Sequence, residues 1–427
     1  MNRLFLANLS CEADWARAWQ RKRGVGFLPH GSRDSGGAGG GSAHTAGTAL
    51  RPGLPAGLQR AVQQEAMLQS VWQGMMNPGD RVLDWRAWRD RAGLRKAGRD
   101  RGVTLADAGQ ERGETPEGES GGSAESARVL IPWGATEEAS RQAEQLGCVW
   151  GGADPELAMR FNQRSERFQI ESELEWTLPG SRLIHSSEEL RQAVAGGYTV
   201  GQGWILKANF GMAGREAIRG RGPSLTIPQI GFCESRSAQT GPLVLEPMLA
   251  PVEEVGVLWE ISAGGVPELQ GVARQWVVGG AWRGCLFFHP DHQPPHWAEA
   301  VASTSRVAAK LAGWGYRGPL GIDAMWHRDA EGKVALRPLQ DLNARWTMGR
   351  MGLAWHKRLE SPSAGAWILS DPVIGGGDLS GELEVARWLG PNWRLHKRVA
   401  TGATDAGEAT SEQGEGPSFL VFESVQT

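Results

Sequence analysis

Two acids and an amide stand inside apolar segments, where bare charge is costly. Asp323 lies in GIDAMW (321–326), and Asp341 and Asn343 lie in LQDLNARWTMGR (339–350). On a strand, residues i and i+2 share one face, so Asp341 and Asn343 project the same way and Asp323 on a neighbouring strand can join them. A carboxylate in a hydrophobic strand needs something to neutralise it. Mg²⁺ asks for a few hard oxygen ligands and completes its octahedron with phosphate oxygens and water. A Mg²⁺ site is therefore expected at Asp323, Asp341 and Asn343, with Mn²⁺ as the alternative ion.

Upstream, WILKANFGMAGRE (204–216) ends a strand on Lys207 and runs into a small-residue loop with Gly211, Ala213, Gly214 and Arg215. An ammonium at a strand end can meet phosphate oxygens, and a glycine turn lets backbone N–H groups approach them. No GxxxxGK[ST] phosphate loop occurs. In LVLEPMLAPVEEVGVLW (243–259), Glu246, Leu249 and Glu254 flank a short excursion between two strands. Adenine needs apolar faces and a backbone edge, and ribose needs a carboxylate. Each of these two segments, taken alone, also fits a plain turn or a hairpin with solvated acids.

The elements that position these residues follow from periodicity. RLFLANL (3–9) and RVLIPW (128–133) read as strands, the second followed by a helix over 137–147. FNQRSERFQIESELEW (161–176) has helical spacing stopped by Pro179-Gly180, and RLIHS with SSEELRQAVAGG reads as strand, Ser cap, helix and Gly stop. From 203 strands dominate, interrupted by helices near 294–313 and 348–358. Without strict β-α alternation, this half is expected to be α+β, antiparallel sheet with helices on one face.

Lys plus glycine loop, Glu-x-x-Leu, a second Glu, Asp, then acid-x-Asn followed by Arg resembles the ATP-grasp superfamily across about 160–358. The resemblance implies an α+β fold of two subdomains clasping ATP, preceded by a Rossmann-like α/β domain. The implied divisions are 1–155, 156–240 and 241–427. It further implies that Lys207 holds the α/β-phosphates, that Glu246 and Leu249 line the adenine hinge, and that Glu254 holds the ribose. Asp323, Asp341 and Asn343 would carry Mg²⁺, and Arg345 would stabilise the transferring phosphoryl group. Asp341 departs from the pattern, which most often has Glu there. The implied activity is a ligase that activates a carboxylate as an acylphosphate and joins it to an amine. Arg215, Arg274 and Arg283 are candidates for holding the acid, since a guanidinium suits a carboxylate. A phosphotransferase and a non-catalytic ATP-binding module remain open alternatives.

Composition limits the rest. The chain has 427 residues, with 45 Lys+Arg against 48 Asp+Glu, so no overall attraction to nucleic acid or anionic membranes is expected. No apolar run reaches membrane-spanning length, and Met1–Leu9 is too short for a secretory signal, so a cytoplasmic protein with small-molecule carboxylate and amine partners is expected. Cys11, Cys148, Cys233 and Cys285 form no CxxC, and Cys285 reads as a buried apolar residue. His289, His292 and His296 read as a polar loop. The segments 31–48, 107–127 and 401–417 are rich in Gly, Ser, Thr and acids and read as disordered inserts, and 81–101 reads as a solvated basic helix.

Overall fold

The computed structural model describes residues 3–6, 11–23, 75, 81–83, 128–211, 216–278, 281–329, 331–359, 363–369, 385, 387, 389–400 and 417–424. The expected inserts 31–48 and 107–127 lie outside these residues. So does 401–417, except for Pro417, which opens a strand.

The N-terminal domain is a parallel sheet. It comprises β1 (Arg3–Leu6), α1 (Cys11–Lys22), β2 (Arg81–Leu83), β3 (Val129–Pro132), α2 (Glu137–Gln145) and β4 (Val149–Trp150), in the order β2-β1-β3-β4. The described part of the basic stretch is thus strand β2, paired with β1, and not helix. Thr136 caps α2 by accepting from Ala139 N at 3.1 Å, and Glu137 and Glu138 suit the positive end of the helix dipole.

A further helix precedes the one that periodicity suggests over 161–176, which itself begins at Arg164. The two are α3 (Pro155–Phe161) and α4 (Arg164–Glu173). Tertiary contacts make the break. Asn162 Nδ2 donates to Ala158 O at 2.7 Å and Ala344 O at 3.2 Å, which ends α3. Asn209 Oδ1 then accepts from Ser165 N at 2.9 Å, capping α4 from another part of the chain.

The small sheet contains β5 (Arg182–Ile184), β6 (Gly203–Lys207), β7 (Ala217–Arg221) and β8 (Leu243–Pro247), ordered β5-β8-β6-β7 and antiparallel. Helices α5 (Ser187–Gly197) and α6 (Ile227–Thr240) cover the face carrying Trp204, Leu206 and Leu245. Alternation turns Lys207 and Glu246 to the other face. Trp204 is fully buried and lies so close to Gly220 that a Cβ there would stand 1.9 Å from its ring.

The large sheet is ordered β13-β12-β9-β10-β11-β14-β16-β15, all antiparallel. Its strands are β9 (Ala250–Ile261), β10 (Pro267–Val278), β11 (Ala281–Phe288), β12 (Gly318–Arg328), β13 (Val334–Asn343), β14 (Ala364–Leu369), β15 (Trp393–Ala400) and β16 (Pro417–Ser424). Its helices are α7 (Trp297–Gly313) and α8 (Met348–Arg358). They lie on opposite faces, which corrects the expected single helical face. Phe288 stacks edge-on to Trp297 of α7, whereas the next residue back, Phe287, stacks on His356 of α8. The site residues share the α8 side, because Asp323 pairs with Gly256 and Gly321 pairs with Leu258, which reaches toward Gly349.

Trp204→Ala should cost about 3–5 kcal/mol, the range for deleting a buried aromatic. A urea melt followed by circular dichroism reads the loss; an unchanged midpoint would show that the small sheet does not depend on this packing.

Candidate functional site

Asp323 and Asp341 face each other across β12 and β13 as direct register partners. Between Asp323 and Met325 the register shifts, so that Arg337 pairs with Met325 and Pro338–Gln340 bulge. Pro338 has no N–H to give the ladder, and a bulge re-aims the residues beside it. Asp323 accepts from Gln275 Nε2 at 2.6 Å and from Asn343 Nδ2 at 3.1 Å. Gly256, beneath it, leaves this room: a Cβ there would sit 3.1 Å from Gln275 Nε2.

The two acids divide the local charge unequally. Burial and then the Asp341 charge push Asp323 up to about 7, against its hydrogen bonds to Gln275 and Asn343. Burial also pushes Asp341 up, but Arg164, Lys207 and Arg167 together bring it below the ordinary aspartate value. Arg164 Nη2 lies 3.3 Å from Asp341 Oδ2, so the repulsion expected on both acids falls on Asp323 alone. A divalent cation placed between two carboxylates and the Asn343 amide would remove that repulsion, and the donor set fits Mg²⁺. Among the described residues no group of three His, Cys, Asp or Glu is arranged to hold a metal, so the histidines at 289, 292 and 296 do not form a second centre.

Opposite the acids stands a cation-rich face. Lys207 Nζ reaches Glu246 Oε2 at 2.8 Å, and Glu246 also binds Arg167 and Arg337. Arg337 further meets Glu171 at 3.0 Å. Glu246 is 1% exposed, so its side chain is committed to this cluster. Burial opposes its charge, but Arg167, Arg337 and Lys207 hold it well below the usual carboxylate range. Burial lowers Lys207, with Glu246 working the other way. Burial likewise raises Glu254, which Lys207 and a hydrogen bond from Gln340 counter. Met248 N donates to Gly203 O at 2.9 Å, and half-buried Leu249 links β8 to β9.

The glycine loop meets the acids through Arg164, which the sequence reading missed. Its Nη1 donates to Ala208 O at 2.8 Å and its Nη2 to Gly211 O at 3.0 Å. Gly214 and Arg215 lie outside the described residues. Arg345 does not stand free: Glu12 of α1 takes its Nε and Nη2 at 2.9 and 2.6 Å. Burial opposes its charge, but Glu12, with Cys11 and Asp341 beside it, outweighs that and raises it. Arg274 is tied to Glu253 at 3.0 Å, on the α7 side of the sheet and away from Glu254. Arg283, on β11, is four strands from β13 and does not join the acids. Cys285 is buried, and burial pushes its thiol well above the usual value.

No protein-family model and no curated protein matches the chain. Solved structures do. Biotin carboxylase of Campylobacter jejuni, in a β,γ-ATP complex, is 10% identical over 99% of this chain and 87% of its own, with a TM-score of 0.50. The biotin carboxylase domain of a Hydrogenobacter thermophilus 2-oxoglutarate carboxylase, with MgADP and bicarbonate, is 12% identical over 99% and 86%, at 0.49. N5-carboxyaminoimidazole ribonucleotide synthetase of Thermus thermophilus is 14% identical over 69% and 76%, at 0.42. The chain has the α+β ATP-grasp fold: a small and a large antiparallel sheet behind a Rossmann-like domain.

Two measurements follow from this geometry. Asp323 is raised from 3.8 to about 7, so its neutral form stabilises the fold below about pH 4, and that stability is lost as pH rises through about 7. The metal-free protein should therefore melt lower at pH 8 than at pH 5, and Asp323→Asn should flatten that slope; an unaltered slope would count against the assignment. Arg337→Met should cost about 3–5 kcal/mol in denaturant, because it strips a buried partner from Glu171 and Glu246; a neutral result would mean the cluster re-forms around Arg167 alone.

Proposed function

We propose that the protein is an ATP-dependent ligase that activates a carboxylate as an acylphosphate and joins it to an amine. The observation that carries this reading is the opposition of a cation-rich face, Lys207 and Arg164, to the acid pair Asp323 and Asp341 with Asn343 beside them. Lys207 and Arg164 bind the nucleotide phosphates. Met248 and Leu249 offer apolar contact and a backbone edge to adenine, and Glu254 accepts from the ribose hydroxyls. Asp323, Asp341 and Asn343 would hold Mg²⁺, which when bound neutralises phosphate charge. Arg345 holds two N–H groups beyond those given to Glu12 and Trp346 O, for the oxygens of the phosphoryl or carboxyl group. The biotin carboxylases and the ribonucleotide synthetase that resemble the chain are reported with ATP, MgADP or bicarbonate, or named as synthetases. A small carboxylate and an amine are the substrates that this reading supplies, giving an amide or peptide-like product.

In the first step a carboxylate oxygen bonds to the γ-phosphorus and the bond to ADP breaks. In the second the amine nitrogen bonds to the acyl carbon and phosphate leaves.

The test incubates the protein with ATP, MgCl₂, a pool of carboxylic and amino acids, and hydroxylamine, which traps acylphosphates as hydroxamates. ADP and a hydroxamate should form only when an acid is present. A phosphorylated hydroxyl compound would indicate phosphotransfer, and ATP binding without turnover would indicate a binding module. Lys207→Ala should weaken ATP binding by about 1.5–3 kcal/mol by calorimetry, the scale of one charged contact; an unchanged affinity would remove Lys207 from the site.

A further inference from the structure

Glu12 belongs to the first turn of α1 in the N-terminal domain, yet its side chain ends at the metal edge of the large sheet. Both of the donors it takes from Arg345 go to one oxygen, Oε1, at 2.9 and 2.6 Å. The residue is 7% exposed, and its other oxygen, Oε2, is buried with no hydrogen-bond partner. A buried acceptor left open is costly, and far more so on a charged group. A fork-to-fork pairing with the guanidinium would have satisfied both oxygens. Instead Glu12 lines a recess together with Arg164, Asp341, Asn343 and Arg345.

The recess measures about 10 Å³, room for one water-sized group. An ionised carboxylate can only accept hydrogen bonds. The open Oε2 therefore calls for a donor, and neither a carboxylate nor a phosphate oxygen brings one. Beside it, the spare N–H groups of Arg345 call for an acceptor. An acyl group held by Arg345 and an amino group held by Glu12 would be neighbours, which is the arrangement that amide formation needs.

We propose that Glu12 binds the amine substrate, its Oε2 accepting a hydrogen from a primary amino group seated in this recess. The proposal rests on the ligase reading. As the nitrogen bonds to the acyl carbon, the carbon–oxygen bond to phosphate breaks, and the amine's proton ends on the departing phosphate. The N-terminal domain thereby supplies a substrate contact to a site built by the other two.

The experiment separates acid activation from amine use. Wild type and Glu12→Gln are given ATP, MgCl₂ and the pooled carboxylic acids, with either concentrated hydroxylamine or pooled α-amino acids as nucleophile. The glutamine carbonyl can still accept from Arg345, while its NH₂ turns a donor toward the amine. Any loss in hydroxamate formation should be the smaller of the two, and the KM for the amino acids should rise about tenfold or more, the loss of one charge-assisted contact. Equal loss of both products would show that Glu12 only holds Arg345, and loss of neither would show that it does nothing to the amine; either overturns the proposal. If Glu12→Gln does not fold, the wild type decides: α-amino acids should react and their N-methyl counterparts should not, and equal use of both overturns the proposal. Absence of hydroxamate in the wild type is a different failure, that of the ligase reading itself, and the amine assignment falls with it.

Discussion

The buried ion cluster of Arg167, Glu171, Glu246, Arg337 and Lys207 is the constraint on which the two sheets depend. Arg167 and Glu171 come from α4, Glu246 and Lys207 from the small sheet, and Arg337 from the large one. None of these groups except Lys207 reaches water to any extent. Charges so enclosed are tolerable only when all partners are present, because removing one strands the others in a low dielectric. The subdomains therefore cannot shift far at this seam without exposing or orphaning charge. The cluster fixes the distance between Lys207 and the acid pair.

The cluster also has a sign. Three cations face two carboxylates, which leaves one positive charge, and Lys207 is the member nearest to solvent. That surplus already acts on Asp341, where Lys207 and Arg167 help Arg164 hold the carboxylate ionised. Asp323 lies farther from this source and carries the repulsion, with only the neutral dipoles of Gln275 and Asn343 to ease it. One acid is thus kept charged by the protein, while the other would gain most from a bound cation. Phosphate oxygens would meet the same surplus from the opposite side.

Much of this was legible in the sequence because the signals are local. The strand 334–343 and the helix 348–358 lie where periodicity puts them, and i, i+2 spacing was enough to set Asp341 and Asn343 side by side. Three site residues gave no such signal. Arg164 and Asp341 are 177 positions apart, Glu12 and Arg345 are 333 apart, and Gln275 is an uncharged residue on a third strand. The same long-range logic set the start of the helix expected over 161–176, since Ala344 helps to end the helix before it and Asn209 caps it at Ser165. The ion partners of Glu246 were hidden for a related reason. Its position at a strand end suggested a hinge, and alternation turned its side chain to the face where Arg167 and Arg337 arrive from elsewhere.

The rigidity of this seam explains why the recess at Glu12 is left with an unpaired oxygen. Arg345 follows directly on β13, whose position is fixed by Arg337 four residues before Asp341 on the same strand. Glu12 follows β1, whose parallel sheet is anchored by its own core of Leu6, Leu130, Ala139 and Ala143. Neither end of the pair is free to slide until both carboxylate oxygens are satisfied. Cys11 beside Glu12 and Ala344 beside Arg345 belong to one hydrophobic core that holds both ends of the pair in place, and the small polar space between them persists as a consequence. A gap of that kind costs stability, and sites that bind substrate are where such a cost is offset by function.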